Sequence, residues 1–154
     1  MNRLKTYYLV SMVLLGLAFS CSGPKNEPDP KQYVLSKHDE LMQKGEVAMS
    51  IKMQLDTLQL IHSTAVNPEI DSLKSVQQIK VIKALLIKAD ETMEDWMHQY
   101  KADYIGNSPE ATNAYYQAEA DKLNKLDGLY NNAISEAKGL FQKLHIPPIN
   151  TIDN

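Results

Sequence analysis

Three pairs of residues spaced four apart carry the softest metal donors in this chain: His38 with Met42, Met49 with Met53, and Met93 with Met97. On a helix that spacing puts both members of a pair on one face. Thioether and imidazole donors together favour Cu(I), and helical bundles hold metals between such faces. One reading is therefore a periplasmic Cu(I) site made by His38, Met42, Met93 and Met97. The other, which the composition favours, is that methionine fills irregular cores and sits well in helices, with no cofactor at all. Carboxylates invite a general-acid reading at Asp39, Glu40, Glu91, Glu94 and Asp95. These fall on the solvent side of the apolar stripes and read as a solvated surface. Asp90 and Asp127 lie beside or within the stripes, and a buried pair such as His38 with Asp90 would set helix register rather than catalyse. The chain has no Gly-rich phosphate loop, HExxH, CxxC or obvious serine nucleophile, and it reads as a non-enzyme.

The remaining reactive side chain is Cys21, the only cysteine. Arg3 and Lys5 precede an uncharged run from Thr6 to Ser20, which at about fifteen residues is short of the roughly twenty a membrane span needs. The segment Leu17-Ala18-Phe19-Ser20-Cys21 has small residues three and one positions before the cysteine. It resembles the lipobox of bacterial lipoproteins, in which the cysteine sulfur is diacylated and the chain is cut before it. The alternative is an ordinary secretory signal, or an uncleaved anchor, with an incidental cysteine. Under the lipobox reading, residues 1–20 are a signal peptide and Cys21 carries the anchor, since two or three acyl chains hold firmly where one binds marginally. Ser22 after the cysteine resembles outer-membrane sorting, which gives an expected place in the cell envelope, lipid-anchored to the outer membrane.

Removing residues 1–20 takes Arg3 and Lys5 from the 16 basic residues, leaving 14 against 19 acidic ones and a formal charge of −5. That balance argues against nucleic acid, which needs clustered Lys and Arg. With Cys21 acylated no disulfide can form, so packing alone must hold the fold. Residues 21–29, with Pro24 and Pro28, read as a flexible linker reaching about 30 Å.

Beyond the linker one device recurs: Asp29-Pro30, Asn67-Pro68 and Ser108-Pro109 each set an N-cap residue before a proline at the first helical position. Glu69 and Glu110 add charge favourable to the helix dipole. Ser36 to Asp39 also reads as a capping box, a second place for the first helix to begin. Gly106 and Asn107 stop the second helix, and Pro147 with Pro148 stops the third. Helices are predicted over 30–62, 68–104 and 109–145, followed by a disordered tail at 146–154.

Apolar spacing agrees. The first stripe is Val34, Leu41, Ala48, Ile51, Leu55 and Leu58; the second runs from Ile79 through Ile82, Leu86, Ala89 and Met93 to Trp96 and Tyr100. The third holds Tyr116, Ala120, Leu123 and Tyr130, then Ile134, Ala137, Phe141 and Leu144. Two short turns make neighbours antiparallel, so the expected fold is an all-α, antiparallel, up-down-up three-helix bundle with long helices over 30–145. Leu35, Met49, Leu85 and Leu126 lie outside the stripes and leave surface for a protein partner or a second copy.

Reversal within a 63–67 turn makes positions that sum to about 130 level, which sets His38 opposite Asp90 to Met93. The segments HDELM (38–42) and ADETMEDWMHQY (89–100) should then meet at the end nearest the anchor. With the lipobox, these two segments resemble a family of small helical lipoproteins of Bacteroidota, some of them labelled viral A-type inclusion proteins. The resemblance covers most of the chain after Cys21 and implies a helical fold and an envelope location, but no activity. The sequence therefore reads as a lipid-anchored, non-catalytic interaction or scaffold protein.

Overall fold

The computed structural model describes residues 29–64 and 73–147, with backbone alone at 62–64 and 73. The signal peptide, Cys21, the linker to residue 28, the Asn67-Pro68 cap and residues 148–154 lie outside the described residues. Among the described residues there are three helices: α1 (Pro30–Thr64), α2 (Leu73–Gln99) and α3 (Pro109–Lys143). No strand occurs among the described residues. At 35 residues each, α1 and α3 are about 50 Å long.

The caps work as their residue types require. Asp29 Oδ1 accepts from Lys31 N–H at 3.2 Å, so α1 starts at Pro30. The alternative start at Ser36 is unused, since its hydroxyl donates to the Tyr33 carbonyl inside the helix. Ser108, in extended backbone, caps α3 by accepting from Ala111 N–H at 3.2 Å, with Pro109 following.

Cross-helix bonds fix the topology. Tyr33 donates to Asn124, Lys37 to Asp127 and Lys44 to Asn131, so α1 and α3 run parallel. Lys52 donates to Asp90 and Lys83 to Gln59, so α2 runs against α1. The fold is the expected up-down-up bundle. Every residue of the first two stripes is buried except Tyr100, which is half-buried. Among the described residues the buried core runs from Val34 to Leu144, with Tyr33 and Ile146 packed against it at either end.

Three boundary and packing expectations need correction. First, α2 ends at Gln99 rather than 104. No breaker occupies 100–104; instead tyrosines of α3 capture that backbone. Tyr115 Oη accepts from Lys101 N–H at 2.7 Å, and Tyr116 Oη donates to the Ala102 carbonyl at 2.9 Å. Second, the expected tail begins too early: Ile146 packs against the core and the Pro147 carbonyl accepts from Gln54. Third, Leu126 is not spare surface but 1% exposed. α3 packs along both other helices while those two touch each other least, so α3 buries a wider face. That face adds Glu119, Leu126, Ala133 and Leu140 to the stripe expected for it, and Ile134 is only half-buried.

The α1–α2 register also differs. The Lys52–Asp90 pair sums to 142 and Asp56–Lys83 to 139, against the expected 130. No helix among the described residues is long and apolar enough to cross a membrane.

Candidate functional site

The two sequence motifs do meet. The His38 ring lies 5.7 Å from the Trp96 ring, centroid to centroid. His38 does not face Asp90, however: its Nδ1 is 3.2 Å from Asp39 Oδ1. Asp90 is held instead by Lys52 at 3.1 Å and by Tyr130, whose hydroxyl donates to it at 3.1 Å. The register shift separates the anticipated pair by more than a helical turn.

Trp96 is 7% exposed and anchors the core, and its indole N–H donates to Glu119 Oε2 at 2.8 Å. Glu119 is 4% exposed, and Lys122 occupies its other oxygen at 2.8 Å. Burial of a carboxylate demands such pairing. From Trp96 the rings continue through Tyr100, stacked at 4.7 Å, to Tyr115 and Tyr104, stacked at 4.2 Å. This aromatic column builds the end of the bundle where α2 turns into α3. Beside it is a shallow open cleft of about 290 Å³, lined by Lys31, Asp103, Tyr104, Ile105 and Tyr116. Lys31 and Asp103 pair with each other across it at 3.1 Å.

Asp127 sits between α1 and α3, where Lys37 and Lys44 both bind it. Burial works against its charge, but hydrogen bonds from Lys44 and Lys37 hold its carboxyl below the usual range. Both lysines are also partly desolvated, and hydrogen bonds to Asp127 and Glu40 raise them nonetheless. Burial, and then the Asp90 charge, push the Tyr130 phenol upward. These groups tie helices together and leave no free acid or base among themselves.

Of the anticipated copper ligands, Met93 is 3% exposed within the core, while Met42 and Met97 are exposed and His38 half-buried. No group of three or more His, Cys, Asp or Glu residues suited to a metal occurs among the described residues. The carboxylates Asp39, Glu40, Glu91, Glu94 and Asp95 are exposed, as their positions outside the stripes implied.

What the described residues display in quantity is apolar surface. Leu35, Met42, Met49 and Met53 form an exposed row on α1, seven, seven and four apart, and Met53 is 63% exposed. On α2, Ile87 and Met97 are exposed as well. The register pairs Lys52–Asp90 and Asp56–Lys83 line the seam between these helices. Carried along that register, in which level positions sum to about 140, Met53 stands level with Ile87, Met49 with Glu91, and Glu46 with Glu94. Adjacent heptads made the α1 row readable, since 35, 42 and 49 follow the core positions 34, 41 and 48 by one residue. The α2 side of the surface depended on a register that the sequence did not supply.

The chain matches no family model, no curated protein and no solved structure.

Proposed function

We propose that this protein is a lipid-anchored, non-catalytic interaction or scaffold protein of the cell envelope, tethered through Cys21 to the outer membrane. The exposed methionine-rich face of α1 is the observation that carries the interaction reading, because contiguous apolar surface on a folded helix marks a contact site. The position of the sole cysteine, after an uncharged segment and small residues, supports the anchor. The resemblance to small Bacteroidota lipoproteins points the same way. Acyl labelling in cells tests the anchor: Cys21→Ser should abolish the label and leave soluble or unprocessed chain, and unchanged labelling overturns it. Crosslinking of the anchored protein in cells tests the interaction.

Cu(I) binding is the second reading, and the meeting of His38 with the α2 motif is the observation in its favour. It has less support, because Met93 would have to leave the core to serve as a ligand beside Met42, Met97 and His38. Titration with Cu(I) against a competing chelator decides it: affinity no better than that of a generic methionine peptide ends the idea.

A further inference from the structure

The outer face across the α1–α2 seam combines two features. It is apolar and built of methionine, through Met42, Met49, Met53 and Met97. It is also acidic in balance. Glu46, Glu91 and Glu94 border it, all exposed and in no ion pair among the described residues. Of the lysines beside it, Lys44 pairs with Asp127 and Lys52 with Asp90, which leaves the exposed Lys88, three residues before Glu91, against three carboxylates. A second copy of the same face would bring carboxylates against carboxylates, and an anionic lipid surface would be repelled likewise. Methionine side chains adapt to varied apolar shapes, which suits a surface that receives a helix.

We infer that this face is a docking groove for a cationic amphipathic helix of a partner protein, with its apolar stripe on Met42, Met49 and Met97 and its basic flank against Glu46, Glu91 and Glu94. The inference rests on the interaction reading proposed above and names the chemistry of the partner. Charge complementarity decides the occupant, since like charges across a contact oppose it while opposite ones steer association.

The test uses the full chain in zwitterionic nanodiscs, with methyl-labelled methionines. The probe is a synthetic Leu/Lys helix about five turns long with leucines at helical spacing. Its controls are a scrambled peptide of the same composition, a Leu/Glu version and empty nanodiscs. Expected is saturable binding that shifts the methyl signals of Met42, Met49, Met53 and Met97 and weakens as salt rises. Met49→Lys and Glu94→Lys should each weaken it about tenfold, while Glu136→Lys on α3 leaves it unchanged. Both substituted residues are exposed, so the fold should survive and circular dichroism checks it. Equal binding of the scrambled peptide, signal changes confined to other faces, or no binding beyond empty nanodiscs overturns the groove. So does a concentration-dependent dimer broken by Met49→Lys, or methionine shifts on adding anionic vesicles alone. If the groove fails while crosslinkers on α3 still capture a specific partner in cells, the interaction reading stands without it. If no face captures one, both fall.

Discussion

The Trp96 indole N–H donates to Glu119 Oε2 at 2.8 Å, joining α2 to α3 through a hydrogen bond buried from water. Its loss would strand a polar N–H inside the core, and an unsatisfied buried donor costs about 1–3 kcal/mol. Glu119→Ala should therefore lower stability by that amount in urea denaturation, and Glu119→Gln, which keeps an acceptor, by less. Equal losses in the two variants would show that side-chain packing, not the hydrogen bond, matters there.

Asp127 makes the α1–α3 contact sensitive to pH at both extremes. Its folded pKa is depressed, so its contribution is present above the unfolded value near 4 and is lost as pH falls through the lower, folded value. Lys37 and Lys44 are raised, so their contribution is full below about 10.5 and is lost as pH rises through their folded values. Asp127→Asn should flatten both limbs of a stability profile and cost about 1 kcal/mol or less near neutrality. A profile unchanged at either extreme would remove Asp127 as the origin.

Gly106 is required by space. A Cβ built on it would lie 2.8 Å from Ala111 Cβ and 3.0 Å from Thr112 N, in the first turn of α3. Its own N–H donates to Thr112 Oγ1 at 3.0 Å. Gly106→Ala should force the turn away from α3 and cost roughly 1–3 kcal/mol, the range for overpacking. Gly106→Ala combined with Ala111→Gly, which removes the facing methyl, should recover part of the loss in thermal denaturation; no recovery would place the strain in the backbone contacts alone.

Most of this fold was legible because three long stripes at helical spacing leave few alternatives, and because proline after Asp29 and Ser108 offers a helix start at each, although Ser36 offered a rival one for α1. Where helix ends depend on distant side chains, the sequence was mute: residues 100–104 carry no breaker, and only folding brings Tyr115 and Tyr116 onto that backbone. Leu126 is buried, against the expectation from its position outside the stripe, for a related reason. A single stripe describes a helix with one neighbour, whereas α3 has two, and its positions 119, 126, 133 and 140 form a second row seven apart. The buried Glu119 has no local signature, since a glutamate on a stripe gains its meaning only from an indole on another helix. The exposed methionine row on α1 was partly visible, but its acidic border on α2 required the true register.

The end of α3 holds a residue that its conformation does not favour. His145 has φ of 54°, in the left-handed region, and the surrounding bonds form a Schellman-type close. Its N–H donates to the Gln142 carbonyl, and Ile146 N–H reaches back to the Phe141 carbonyl at 2.9 Å. Ile146 then packs on the core, as the residue after such a close commonly does. Glycine is the usual occupant because a Cβ in this conformation crowds the following carbonyl, a penalty of about 1–2 kcal/mol. Glycine's greater freedom in the unfolded chain offsets part of that relief. His145→Gly should therefore raise stability by about 0.5–1 kcal/mol, seen as a higher urea midpoint at unchanged slope. Asn, which tolerates the left-handed region, should give a smaller gain, and a β-branched Val should give a loss. The His145 side chain is exposed, so little packing is forfeited by any of these changes. If glycine instead lowers the midpoint, the imidazole makes a contribution at this turn that outweighs the conformational strain.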